Sequence, residues 1–168
     1  FKEWPLELLV DYVIKYHHKK IRDNGPSLLK LCEKVASVHG NHHPELVEVL
    51  NLYRGSLNDL LSHLMKEETA LFPFIYQVID DAQQAKANAC FGSVEMPISL
   101  MMHEHYHERE RFIQISALTN HYAIPDDACQ SYRSMMNQLQ QFEQNLHEHI
   151  HIENNIIFPE AIRLAKEA

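Results

Sequence analysis

A histidine followed four residues later by a glutamate occurs twice in the chain, and a Phe-Pro dipeptide follows each pair. The first copy is His63 and Glu67, and the second is His149 and Glu153. Side chains four positions apart lie on one face of an α-helix, with Cβ atoms about 6 Å apart. Each copy would therefore point an imidazole and a carboxylate the same way. Two such pairs facing each other across a helical bundle predict a shared metal site.

Both glutamates fall inside apolar stripes, which strengthens this interpretation. Apolar residues recur at steps of three and four on either side of Glu67 and of Glu153, as on the buried face of a bundle helix. An unpaired carboxylate in such a place is costly, so it must be neutralised, shift its pKa or bind a cation. Because each glutamate follows a histidine by one helical turn, cation binding is the interpretation we favour.

Three further histidines are candidates for the same site. Helical spacing turns His17 and His105 inward. His39 follows His17 by 22 residues, and one continuous helix would separate them by about 33 Å. Both can bind only if the chain doubles back at Asn24-Gly25-Pro26, which has the composition of a turn. Spacing alone leaves His39 open between a ligand and an exposed loop histidine.

The remaining histidines are interpreted as solvated. His103 and His107 point about 200° away from His105 on a helical wheel, although histidine-rich surfaces can pick up adventitious zinc or nickel. Asp59 and Glu104 are either acceptors that orient imidazoles or plain surface acids. The histidines assigned to the surface are His18, His42, His43, His103, His107, His121, His147 and His151.

Composition limits the classes of protein to which the chain can belong. Its 168 residues suit a single domain with its own core, and 45% hydrophobic residues with only 4 Gly favour regular structure. A net charge of -8 speaks against nucleic acid as the main partner. No apolar run approaches the roughly 20 residues that span a bilayer, and the first residues do not have the pattern that predicts a signal peptide. Cys32, Cys90 and Cys129 fit free thiols in a reducing cytoplasm.

The apolar periodicity is helical almost everywhere, and no convincing strand pattern is found. We predict an all-α, antiparallel four-helix bundle with a short extra helix between the first and second long helices. The long helices should begin after Pro5, near Pro44, near Pro97 and at Pro125. The first should end near Arg22, the short helix should cover about 27–38, and residues 80–96 should form a frayed helix end and a loop around Gly92.

Five imidazoles and two carboxylates are more ligands than one ion takes up. They fit two ions bridged by both carboxylates, each ion keeping room for another ligand. The absence of thiolates from the set argues against a structural zinc or iron–sulfur site. A histidine-rich set with few carboxylates favours non-haem iron, with manganese or zinc as substitutes that ligand type allows.

The sequence resembles a known family. Its two His-x3-Glu segments ending in Phe-Pro, with Tyr16-His17 and Val38-His39 before them and Glu104-His105 between them, resemble the hemerythrin-like domain of the iron–sulfur cluster repair (repair of iron centres) di-iron proteins. Lys66-Glu67-Glu68 and Glu153-Asn154-Asn155 add to a resemblance that covers nearly the whole chain.

The resemblance implies a ligand set and a cofactor. Two iron ions would be bridged by the two glutamates, joined by an oxo or hydroxo bridge and capped by the five histidines. Family members usually carry a small N-terminal domain with an adjacent cysteine pair, and these 168 residues contain none, so we expect one hemerythrin-like di-iron domain over 1–168. The implied ligands are His17, His39, His63, Glu67, His105, His149 and Glu153.

The resemblance also implies a function, which is the repair of iron–sulfur clusters damaged by nitric oxide or peroxide through iron donation or NO handling. Damaged iron–sulfur proteins would be its clients in the cytoplasm, and O2 or NO its small ligands. No nucleic acid or membrane is an expected partner, and the chain should be a monomer or homodimer. Three alternatives remain: reversible O2 or NO carriage or sensing, an oxidase or peroxidase with the same iron pair, and a metal-free helical interaction protein.

Overall fold

The computed structural model describes residues 1–81 and 94–167, and within them all regular structure is helical. Four long helices, α1 to α4, cover 6–39, 45–80, 95–118 and 130–167. Three of them contain a short π-helical segment, in which hydrogen bonds join residues five apart. In order, the segments are Leu6–Tyr12, Val13–His18 (π) and Lys19–His39 in α1, Glu45–Lys66, Glu67–Leu71 (π) and Phe72–Asp80 in α2, Glu95–Leu118 in α3, and Gln130–Ile152, Glu153–Ile157 (π) and Phe158–Glu167 in α4.

The four helices pack together as a bundle. Helix α1 contacts α2 and α4, α3 contacts the same two helices, and the C-terminal segments of α2 and α4 also contact each other. Consecutive helices are in contact, and only residues 40–44 connect α1 to α2, so the chain runs up and down. The predicted antiparallel four-helix bundle is confirmed.

The hydrophobic core is divided into two clusters along the bundle axis. The cluster near the start of α1 includes Val10, Leu71, Ile98 and Phe158. The other includes Leu28, Leu60, Phe112 and Leu146. The buried histidines and glutamates of all four helices lie in sequence between members of the two clusters, so a polar layer interrupts the apolar interior.

The predicted short extra helix is wrong, because α1 continues without a break through Asn24-Gly25-Pro26. Gly25 is buried and serves close packing between helices: a Cβ added there would lie 2.6 Å from Cδ1 of Leu57 on α2. The Tyr53 hydroxyl donates a hydrogen bond of 3.0 Å to the Gly25 carbonyl oxygen. Pro26 lies on the exposed side of α1. Because proline has no N–H group, the helix lacks one backbone hydrogen bond at this position.

Most predicted helix starts are confirmed, with one exception. Helices α1 and α2 begin directly after Pro5 and Pro44, and α3 begins two residues before Pro97. Helix α4 begins at Gln130 and not at Pro125, because the Asp127 carboxylate accepts a hydrogen bond of 2.9 Å from His43 in the opposite loop and does not cap a helix.

The predicted loop around Gly92 lies outside the described residues. So does most of the predicted frayed helix end and loop over 80–96. Among the helices that are described, none combines the length and the apolar character needed to cross a membrane.

Candidate metal centre

The polar layer gathers seven histidine and glutamate side chains at the middle of the bundle. Each is at most 2% exposed, and all four long helices contribute. Helix α1 supplies two of them, α2 two, α3 one and α4 two: His17, His18, His63, Glu67, His105, His149 and Glu153.

Within this layer, two overlapping groups have the arrangement of a metal site. The first is His18 and His149 with Glu67 and Glu153, and the second is His63 and His105 with the same two glutamates. In each group, one potential ligand atom per residue lies within 4.8 Å of all the others. Both glutamates are therefore shared, with a pair of histidines on either side of them.

Within each set of four residues, imidazole nitrogens and carboxylate oxygens approach one another closely enough to bind a common ion. Nε2 of His63 lies 3.2 Å from Oε1 of Glu67, and Nε2 of His18 lies 3.2 Å from the same oxygen. Nε2 of His105 lies 2.9 Å from Oε2 of Glu153. The Nε2 atoms of His63 and His105 are 3.0 Å apart, so two imidazoles turn their nitrogens to one place.

Several buried atoms of this layer lack a hydrogen bond, which tests whether a cation fits. Among the described residues, both carboxylate oxygens of Glu67, Oε2 of Glu153 and Nε2 of His18 make none. A buried acceptor without a partner costs about 1–3 kcal/mol, and more if it is charged. Imidazole nitrogens and carboxylate oxygens are iron, manganese and zinc ligands. The unsatisfied atoms and the donor types thus fit a metal centre.

Each π segment ends or begins at a residue of the centre. The segment in α1 ends at His18, the one in α2 begins at Glu67, and the one in α4 begins at Glu153. A π turn takes in one extra residue and is frequent at functional sites. By shifting the helical phase by about 100°, it changes which residues face the interior.

This phase shift explains why sequence reasoning missed His18. The α-helical wheel predicts His18 on the outer, solvated face, and this is wrong, since the residue is 0% exposed and faces both glutamates. The side chain reaches the centre from the last position of the π segment, where the wheel no longer applies. The sequence carries no signal for that segment beyond the adjacent histidines, His17 and His18.

His17 lies beside the two groups and not in either of them. Its ring stacks on that of His149 with centroids 5.4 Å apart, and its Nε2 makes no hydrogen bond. Burial first, and then the nearby His149 and His18, lower the pKa of His17 to about 3. It is therefore a neutral imidazole against the edge of the centre.

His39 is not brought to the centre, so its prediction as a ligand fails on geometry. It is the last residue of the uninterrupted segment Lys19–His39, which begins beside His18; at 1.5 Å per residue the separation is about 30 Å. Nε2 of His39 lies 3.1 Å from Sγ of Cys129, and its ring packs edge-on against Tyr132. The other six predicted residues do meet in the polar layer.

Three of the imidazoles in the two groups are held through their second ring nitrogen. Nδ1 of His18 lies 3.0 Å from Oε2 of Glu68, Nδ1 of His63 lies 3.2 Å from Oε1 of Glu104, and Nδ1 of His105 lies 2.8 Å from Oδ1 of Asn154. Metal-binding histidines typically have such partners, which fix the ring orientation and tautomer.

Asp59 and Glu104 are the two acidic residues that the sequence offers as partners of an imidazole, and Glu104 is the one that contacts a histidine of the centre. Glu104 contacts His63 and is itself 3.3 Å from the Lys66 ammonium group. Asp59 instead pairs with Nη2 of Arg111 at 2.6 Å. The orienting partners Glu68 and Asn154 directly follow the two shared glutamates in sequence.

The electrostatics of the layer tie the imidazoles to the carboxylates. Burial lowers the pKa of His18, but the close carboxylates of Glu153 and Glu67 outweigh it and raise the pKa to about 9. For His63, burial is likewise outweighed, chiefly by the charge of Glu67, and the pKa is about 9. The pKa of Glu153 lies well below its usual range despite burial, because His149, His105 and His18 face it. Without metal, protons on the histidines balance the two carboxylates.

Comparisons with known proteins find similarity along almost the whole chain. Residues 9–161 match the model of the Hemerythrin HHE cation binding domain. The iron-sulfur cluster repair protein YtfE of Pectobacterium atrosepticum is 34% identical over 163 residues, which are 97% of this chain and 69% of that protein. YtfE of Escherichia coli O81 is 34% identical over 165 residues, covering 96% and 70%. The iron-sulfur cluster repair protein DnrN of Neisseria gonorrhoeae is 32% identical over 161 residues, covering 94% of each.

Proposed function

The chain belongs to the hemerythrin HHE cation-binding family, and we propose that it is a non-haem di-iron protein that takes part in the repair of damaged iron–sulfur clusters. The resemblance predicted from the sequence is thereby confirmed at the level of the family. The single observation that carries the proposal is the pair of buried glutamates shared by two histidine pairs. The relatives that match nearly the whole of this chain are named iron–sulfur cluster repair proteins. These names support a function in cluster repair.

In this proposal, two iron ions occupy the polar layer. His18 and His149 would hold one ion, His63 and His105 the other, and Glu67 and Glu153 would bridge them. This set differs from the five histidines that the family resemblance implies. His18 would be a ligand, His39 would not, and His17 would stack on His149 without binding an ion. An imidazole-rich iron pair supplies cycling between ferrous and ferric states and binding of small molecules. Ligand type also allows manganese or zinc.

The protein residues would set how firmly the metal is held. Each ion would receive two neutral imidazoles and a share of two carboxylates, so few negative charges retain it. Compared with an all-carboxylate cage, such a centre should release iron more readily, as an iron donor requires. Glu68, Glu104 and Asn154 hold three of the imidazoles in place, so the centre would remain preorganised for reloading.

The clients in this proposal are iron–sulfur proteins damaged by nitric oxide or peroxide. NO or O2 would be the small ligand, and Cys32 and Cys129, which are free thiols, suit a reducing cytoplasm.

Restoration of a damaged cluster enzyme tests the proposal. The iron-loaded protein is mixed with an aconitase-type enzyme whose cluster has been destroyed by nitric oxide, and the recovered activity is followed. Recovery should exceed that given by the same amount of free ferrous iron. The variant Glu67→Leu should give none, whereas Glu33→Gln, on the exposed side of α1, should match the wild type. Equal recovery with Glu67→Leu would contradict the proposal.

A second candidate function, reversible binding of O2 or NO without repair, is favoured by one feature. A cleft of about 260 Å³ between α1 and α4 ends at His17 and His149 and is lined by Lys20, Asn24 and Asn145. Apolar side chains line it as well, so it suits a small diatomic molecule such as O2 or NO and not a protein or an intact cluster. Rapid, reversible optical changes on mixing the ferrous protein with air or NO, with no repair in the test above, would establish this function instead.

A further inference from the structure

Two exposed histidines on the outer face of α3 turn their ring nitrogens toward each other. Nε2 of His103 and Nε2 of His107 are 3.1 Å apart, and the ring centroids are 4.5 Å apart. In the buried centre, the Nε2 atoms of His63 and His105 are 3.0 Å apart. The surface pair thus has the same spacing as the pair that belongs to one of the two metal groups.

Histidines four residues apart on one helix face are a common way for a helix to hold a metal ion. A zinc–nitrogen bond is about 2.0–2.1 Å long, so two nitrogens about 3 Å apart can both bind an ion outside them. We propose that His103 and His107 form a second, surface site for a divalent transition-metal ion such as Zn²⁺ or Fe²⁺. Both side chains are exposed, so water completes the coordination.

The pattern His103-Glu104-x-x-His107 also occurs in zinc hydrolases, where the glutamate acts as a general base. Here the Glu104 carboxylate contacts Nδ1 of His63 at 3.2 Å and the Lys66 ammonium group. It is therefore committed to the buried centre and does not serve the surface ion. The surface site is assigned to metal capture and not to hydrolysis.

The surface pair lies at a cleft that also borders the buried centre. His107 lines a cleft of about 480 Å³ between α2 and α3, whose other lining residues include His63, His105, Glu104 and Asp59. The exposed imidazole of His107 and two imidazoles of the buried centre thus border one space. This inference rests on the proposed iron-donor function: His103 and His107 bind ions that leave or reach the centre through this cleft and relay them to or from solution.

Helix α4 carries a matched control with the same spacing. His147 and His151 are also exposed and four residues apart. Nδ1 of His151 is hydrogen-bonded to the Asn155 side chain at 2.8 Å, and Nε2 of His147 lies 3.9 Å from Glu143. No contact joins their nitrogens among those of the described residues, so this pair should not bind an ion.

Calorimetric titration of the iron-loaded protein with Zn²⁺ tests the site, with iron content measured before and after. The wild type and His147→Gln/His151→Gln should bind one Zn²⁺ per chain beyond the resident iron. His103→Gln/His107→Gln should lose that ion and keep its iron. The site is refuted if the His103/His107 variant binds Zn²⁺ like the wild type, or if the wild type binds none.

Transfer of iron from the loaded protein to a ferrous-iron chelator tests the role. Release should slow several-fold in His103→Gln/His107→Gln and be unchanged in His147→Gln/His151→Gln. Equal release rates would overturn the capture role. That failure is distinct from failure of the proposed function, because cluster repair by the iron-loaded wild type is measured separately.

Discussion

Glu67 and Glu153 are acidic residues placed where neighbouring positions on their helices are Leu, Ile or Phe, and both are 0% exposed. Removing one partner of a buried charged network leaves the others uncompensated and is strongly destabilising, whereas an unpaired buried charge is itself costly, so that its removal stabilises a protein. Because metal ions or protonated imidazoles balance these two carboxylates, removing either one should be destabilising. At the scale of single residues, the sign of this effect distinguishes a charge-balanced centre from a core defect.

Replacing Glu153 with leucine tests this distinction. The variant should lose at least half of the bound iron, because one shared carboxylate is gone. Its metal-free form should be less stable than the metal-free wild type at pH 7, by about 3–5 kcal/mol, because His18 and His105, whose pKa values Glu153 raises, lose their counter-charge. Metal analysis and denaturant unfolding measure the two quantities, with Glu33→Gln as the surface control. Unchanged iron content would contradict the assignment of Glu153.

His18 and His39 provide a second comparison between residues. His18→Ala should lose iron because His18 contacts both glutamates, whereas His39→Ala should keep the full iron content because His39 lies at the far end of α1. Iron per chain after purification decides between them. Loss of iron in His39→Ala with retention in His18→Ala would favour the ligand set that the resemblance implies over the one in the structure.

At the scale of helices, the sequence was informative wherever α-helical periodicity holds. His63 and Glu67 lie one turn apart on a regular face, so their inward direction was predictable, as was the bundle. His18 was not, because a π segment shifts the phase of α1 and no residue preference marks such a segment. The Asn-Gly-Pro sequence is typical of a turn, but the packing of Gly25 against Leu57 depends on a residue of another helix. Local composition does not contain that contact.

The role of Gly25 as a packing residue is testable by substitution. Gly25→Val places side-chain atoms against Leu57, where the first added atom would already be 2.6 Å away, and overpacking typically costs about 1–3 kcal/mol. At Gly55, an added Cβ would meet Arg111 at an ordinary 3.7 Å, so Gly55→Ala should be neutral or stabilising by up to about 1 kcal/mol. Thermal or denaturant unfolding measures both. A Gly25→Val variant of wild-type stability would show that α1 and α2 do not pack as described.

At the scale of the whole molecule, a polar layer separates two apolar clusters, so proton or metal occupancy of the layer is coupled to the stability of the bundle. Without metal, the pKa values of His18 and His63 are raised from 6.5 to about 9. Their contribution to stability is complete below pH 6.5 and is lost as the pH rises through 9. The pKa of His17 is lowered, so His17 reduces the stability of the folded protein as the pH falls below 6.5 and has no effect above it.

The metal-free and iron-loaded proteins should therefore respond oppositely to pH. Between pH 6.5 and 9, the melting temperature of the metal-free protein should fall. Over the same interval, iron affinity should rise, because protons and metal compete for His18 and His63. Metal binding at pH 7 should release protons into a weakly buffered solution. A melting temperature that rises with pH in the metal-free form, or binding without proton release, would contradict this electrostatic description.

We propose that two iron ions share Glu67 and Glu153 in the middle of the bundle. The most direct measurement is anomalous diffraction at the iron edge from crystals of the iron-loaded protein. Two peaks are expected, one between His18 and His149 and the other between His63 and His105, with both glutamates reaching both peaks. A single peak, or a peak bound to His39, would contradict this shared di-iron centre.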